Sequence, residues 1–362
     1  KPSNDDVTRV SLLADGSVLY SVRVLDNRAG SSPVAAPDGQ TVEPGQAYIR
    51  SLGEVRNGSA GNLQSNARSK GAIAVPGTPM FNYSMVADQK LEIREGCVVD
   101  SYNTEQVALS NPLFVQQYSP LTTWNNFLSN GHVLCNDVGS NVLVRNSSVY
   151  GQVSVKSGTP RYEGDYRVGP AGSYTRTETP VHRPPYSPSQ ATTDVVVHVD
   201  EVKMISPGAY RSITVQSRGI LLLDMVAGGL NQFYVKDTVN IQNGGLLPIR
   251  LTAPGDSLQL YIGKKLECNL GWINPFGRPS QMSVMFVGDG LPNSKSDLEM
   301  KGSQAWMLVS GGSATVKIKD SSHLFGAVKA RQVELSNGSC THYDVALRSK
   351  PQLGLAEWRY RV

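Results

Sequence analysis

Short runs of the form apolar–x–apolar, each followed by polar and then small residues, recur along this chain. Leu91-Glu-Ile93-Arg-Glu-Gly96-Cys97 is one, and Val142-Leu-Val144-Arg-Asn146-Ser147-Ser148 repeats it. Ile213-Thr-Val215, Val239-Asn-Ile241, Val316-Lys-Ile318 and Val333-Glu-Leu335 open four more copies. In a strand, residues i and i+2 point to the same side, so each copy turns two aliphatic side chains one way. Burying each is worth about 1.5–3 kcal/mol, and a two-residue stripe is too small to stand alone. Copies stacked about 4.8 Å apart merge into one aliphatic ladder, with backbone hydrogen bonds running between coils. Asn or Gly after the run supplies the positive φ that a corner needs. The intervening Lys317, Lys319 and Glu334 require one wet face, which suits a solenoid. The pattern therefore predicts an all-β chain: a right-handed parallel β-solenoid (β-helix) over residues 81–362. About ten to twelve coils would give a rod roughly 50 Å long.

Residues 1–80 read as a separate, small β-rich N-terminal region. Val10 to Val24 looks like a hairpin about Asp15-Gly16, and a strand resumes at Ala47. Within the solenoid, residues 162–193 break the pattern with five prolines between Pro170 and Pro188. That stretch is expected as an irregular, extended insertion along the flank of the rod. A helical turn or two is expected near Trp124, capping an end or side. The last of the six copies, within residues 316–347, is expected to be where the solenoid stops. His342-Tyr343-Asp344 would form its closure and residues 353–362 a tail packing along the rod.

Composition narrows the function. Lys+Arg number 34 against 30 Asp+Glu, and the basic residues are scattered, so no nucleic-acid footprint is expected. No run of 18 apolar residues occurs, so a membrane would be reached only through a segment outside this sequence. The chain is expected to be a soluble protein or the trimmed soluble part of a larger one. Cys97, Cys135, Cys268 and Cys340 form no CxxC pair, which argues against a thiolate zinc site. They read either as buried thiols or as one or two disulfides of undetermined pairing.

Many β-helices are polysaccharide-cleaving enzymes, which need paired carboxylates or acidic calcium sites. The best match is Asp194-Val-Val-Val-His198-Val-Asp200, whose polar residues share strand parity. With Trp272 and Trp306 as stacking aromatics, these are the candidate ligand-binding residues. No His pair has metal-ligand spacing, no GxSxG occurs, and the Gly-rich stretches lack a phosphate-loop context. No catalytic residue, metal or cofactor is assigned, and the reading points away from an enzyme.

The closing stretch Phe325-Gly-Ala-Val-Lys-Ala-Arg-Gln-Val-Glu-Leu-Ser-Asn-Gly-Ser-Cys-Thr-His342-Tyr343-Asp344-Val-Ala-Leu347 resembles the end of a bacterial domain of unknown function. That domain occurs in pilin-like secreted proteins whose N-terminal region is similar to the type IV pilus assembly protein PilX. Residues 91–102 with Asp100-Ser101-Tyr102, the coil at 131–155 and the coil at 210–254 are similar to other parts of it. The family's hydrophobic pilin helix has no counterpart in residues 1–80. The resemblance implies an extracellular, cell-surface or periplasmic location, and pilus or cell-envelope proteins or surface polysaccharide as partners. The expected function is a non-enzymatic structural or adhesive module of the cell surface or pilus. The alternative is a carbohydrate-active or carbohydrate-binding β-helix protein.

Overall fold

The structure is a computed structural model. It describes residues 81–102, 130–177, 186–225, 230–249, 257–275, 277–288 and 296–349, together with the backbone pairing of strands between residues 6 and 76 and of Leu353–Arg361. The expected Asp15-Gly16 turn and the helical turn near Trp124 lie outside the described residues. The chain forms two units, Lys1–Asn82 with Arg348–Val362, and Tyr83–Leu347.

The first unit holds a five-stranded antiparallel sheet in the order Asp6–Ser11, Val18–Asp26, Ala47–Val55, Arg68–Pro76, Leu353–Arg361. The C-terminal segment is thus not a tail along the rod. It pairs with Arg68–Pro76, covering an edge that would otherwise present unpaired backbone groups.

The second unit is a parallel β-solenoid with three faces, and no α-helix occurs among the described residues. Ten strand segments stack on its first face. In spatial order these are Asp194–Val197, Ser212–Val215, Thr238–Gln242, Lys265–Asn269, Ser296–Lys301, residues 314–319, 332–335 and 90–94, Val142–Arg145 and Arg161–Glu163. All six sequence copies lie here in mutual register. For example, Val316 faces Val333, which faces Leu91, which faces Val142. Val195, Leu266 and Leu298 fill the remaining rungs of that column. Cys268 and Met300 sit in the companion column with Ile318, where thiol and thioether replace the aliphatics of the pattern. Each rung of both columns is buried to 4% exposure or less.

After each first-face strand the chain turns through a left-handed residue. Asn146, Asn243 and Asn337 do so as expected, and Glu95, Arg218 and Leu270 take the same conformation. Behind that corner runs a buried hydroxyl ladder. Ser303 Oγ accepts from Gly271 N–H at 3.2 Å, Ser322 Oγ from Ser303 N–H at 3.1 Å, and Ser339 Oγ from Ser322 N–H at 3.3 Å. Cys97 takes the equivalent place in its own coil, donating Sγ–H to Arg94 O at 2.9 Å. All four cysteines are free and buried.

The coils do not stack in chain order. The strand at residues 332–335 pairs with the first solenoid strand, Met85–Arg94, and Cys340–Asp344 pairs with Val98–Tyr102. The N-terminal coils (85–168) therefore extend the rod beyond the C-terminal ones, and residues 316–347, expected to end it, lie at its interior. The rod ends are the coil starting at Asp194 and the one holding Arg161–Glu163. Nine spacings of about 4.8 Å separate these strands, roughly 43 Å. The 25 residues from 169 to 193 connect the two ends, and at about 3.3 Å per residue they reach easily. Their described parts, residues 169–177 and 186–193, lie against the outside of the third face. Tyr174 and Thr177 bond Asn136, Tyr186 O–H donates to Gln232 O at 3.5 Å, and Ala191 packs on Tyr234 and Tyr261.

Candidate functional site

The junction where the C-terminal coils meet the N-terminal ones carries the densest group of chemically capable side chains among the described residues. On the second face, parallel pairing puts Trp306, Phe325, His342 and Asp100 at matching positions of four successive strands. Their side chains share the outward side, since the intervening Ala305, Leu324 and Val99 belong to the apolar core. They are nevertheless buried, with His342 at 0% and Asp100 at 5% exposure. Trp306 stacks on Phe325 at 4.6 Å between ring centroids, and Phe325 stacks on His342 at 4.5 Å. The file ends in a hydrogen bond between His342 Nδ1 and Asp100 Oδ1 at 2.7 Å, joining residues 242 apart in sequence.

A second row adjoins it. His323 and Cys340 are register partners two residues before Phe325 and His342. His323 Nδ1 lies 3.0 Å from His342 Nε2. The donor atoms of His323, Cys340 and His342 all lie within 4.8 Å of one another. Burial, reinforced by His342 and opposed by Asp100, pushes the His323 imidazole down to about 4. It is therefore uncharged at neutral pH. Burial, with the nearby Asp100 and Cys97, pushes the Cys340 thiol up to about 12. The Asp100 carboxylate takes Nδ1 of His342, and Nε2 of the same ring faces His323. The cluster can thus transmit a proton between rings or offer two imidazole nitrogens and a sulfur to a cation.

Of His342-Tyr343-Asp344, only His342 belongs to this cluster. Tyr343 is fully buried at the position facing Gly326, and Asp344 accepts a hydrogen bond from Ala346 N–H at 3.1 Å. The partner of His342 is the aspartate of Asp100-Ser101-Tyr102. The two motifs are legible in the sequence but their contact is not, because it crosses from the last coil to the first.

The candidate ligand residues are spread over the rod. Asp194 is held by the Arg211 guanidinium and accepts from Ser212 Oγ at 2.6 Å, which keeps its carboxyl well below the usual range. Arg218 holds Asp200 in the same way through two bonds of 2.5 Å. His198 lies just past the end of its strand, and its backbone N–H donates to Glu201 Oε2 at 2.6 Å. Trp272 lies on the neighbouring face, three strand spacings or about 14 Å further on, over Gly245, where any Cβ would meet the indole ring. Trp306 is buried in the aromatic file. The structure brings none of the three polar residues to either tryptophan.

No protein-family model and no curated protein sequence matches the chain. Among solved structures it is similar to the competence-associated pilin ComZ from Thermus thermophilus, at 10% identity and a TM-score of 0.29. That alignment covers 99% of this chain and 87% of ComZ.

Proposed function

We propose that this chain is a structural or adhesive module of a pilus or cell surface, built around a stiff solenoid, and not an enzyme. The observation that carries the reading is the continuity of the ladder: two columns of buried rungs run through nine coils with every neighbour in register. Such a stack resists bending because each coil is hydrogen-bonded to the next along three faces. Its first face is finished for water. Lys265 bridges Glu267 and Glu299, Lys301 meets Glu299 at 3.0 Å, and Arg94 meets Glu334 at 2.6 Å. The acids that a polysaccharide-cleaving site would use are occupied by arginines. The resemblance of residues 91–102 and 325–347 to the pilin-like secreted proteins supports a surface location.

The test is localisation of the epitope-tagged chain in its own cell by fractionation and immunogold labelling. Label on the outer surface or along pili is the expected result. Label confined to the cytoplasm overturns the proposal.

A further inference from the structure

We propose that His323, Cys340 and His342 form a zinc-class metal site that staples the last two coils to each other, with Asp100 of the first coil orienting one ligand. Three observations converge. The donor set is two imidazole nitrogens and one sulfur with all three atoms within 4.8 Å, a combination that suits Zn²⁺ above calcium or magnesium. The two nitrogens stand 3.0 Å apart. Metal–nitrogen bonds of about 2.0–2.1 Å bring tetrahedral ligands to roughly 3.4 Å, so a small outward ring movement admits the ion. Asp100 grips His342 at Nδ1 at 2.7 Å, the arrangement by which a carboxylate fixes the tautomer that frees Nε2 for a metal.

The cluster has the burial of a structural site and an access route. Cys340 is 7% and His342 0% exposed, whereas His323 is half-buried and opens to the surface. In the metal-bound state both imidazoles are neutral ligands, His342 with its proton on Nδ1 toward Asp100 and His323 with its proton on Nε2. The Cys340 thiol gives up its proton to solvent, one per metal bound, and water takes the fourth position. Asp100 belongs to the first coil of the chain and the three ligands to the last two. The orientation of His342 therefore rests on the same pairing that joins the C-terminal coils to the N-terminal ones.

The experiment uses the full chain, stripped with a chelator and titrated with Co²⁺ and then Zn²⁺. The expected result is one Co²⁺ per chain with a thiolate-to-cobalt charge-transfer band in the near ultraviolet. Zn²⁺ displaces it and raises Tm. Cys340→Ser abolishes the band, while Cys97→Ser and Cys268→Ser keep it. His323→Ala weakens Co²⁺ binding at least tenfold. Asp100→Asn weakens it about 10–100-fold and leaves the band in place, as expected for a positioning residue. Thermal unfolding of each metal-free variant reports separately whether it is folded. Absence of the band in folded wild-type chain, or its survival in Cys340→Ser, overturns the proposal.

Discussion

Single residues show where this chain departs from what its own pattern asks. Leu270 takes a left-handed φ of 53° at a corner where sister coils use Asn, and it is 67% exposed. A leucine there carries the Cβ–carbonyl crowding of that region, about 1–2 kcal/mol. It recovers little by burial. Leu270→Gly is expected to raise stability by about 1 kcal/mol in urea unfolding. Lys329 departs in the opposite sense, as a lysine 2% exposed on the third face. Burial pushes it down to about 8, opposed by Asp88. Its unfolded form titrates near 10.5, so above pH 8 the unfolded chain binds the extra proton and stability rises with pH. Between pH 8 and 9 the gain is about 1 kcal/mol. From about pH 8 upward the buried thiols Cys97 and Cys268, each pushed up to about 11, and Cys340, pushed up to about 12, act in the opposite sense, because the folded chain keeps protons that the unfolded thiols release near pH 9. The thiols are common to both proteins, so the stability of wild type minus that of Lys329→Met isolates the lysine and should rise by about 1 kcal/mol between about pH 8 and 9, read from denaturant midpoints from about pH 7.5 to 9.

Strands are where the sequence reading was strongest. Six copies of a two-residue stripe indicated the first face, because period-2 alternation is a local property and each strand carries it whole. The rungs at Leu266-x-Cys268 and Leu298-x-Met300 escaped that pattern, since sulfur-bearing side chains fill aliphatic places without matching them in type. The alternation has a sharp energetic consequence. Ile318→Ala opens a cavity in a fully buried rung and is expected to cost about 2–5 kcal/mol. Lys317→Ala on the wet side should change stability by less than about 0.5 kcal/mol. Equilibrium unfolding of the pair measures the contrast directly. The candidate acids illustrate the limit of parity. Asp194 and Asp200 do fall on even spacing, but the strand ends at Val197 and each carboxylate meets an arginine 17 or 18 residues ahead in the next coil.

At the scale of the solenoid unit, the order of coils is the main property that escaped sequence reading. Introducing cysteine at both Glu92 and Glu334, which are register partners, tests it. Their Cα atoms, about 4.8 Å apart, suit a disulfide. Glu92→Cys/Glu334→Cys should therefore cross-link under mild oxidation, shifting mobility on a non-reducing gel. A rod stacked in chain order would hold these positions many coils apart and would not cross-link. The sequence by itself determined the parallel solenoid, the identity of most first-face rungs and the corner asparagines, because each rests on alternation or turn chemistry within a few residues. Only the tertiary structure decided which coil neighbours which. Every strand of a parallel ladder offers the same backbone edges and a similar pair of aliphatics, so local pattern is silent on stacking order. A connector of 25 residues, long enough to span the rod, permits either order. That one undetermined choice is what brings Asp100 to His342, and with it the cluster at residues 323, 340 and 342 becomes a framed site at the junction of the first and last coils.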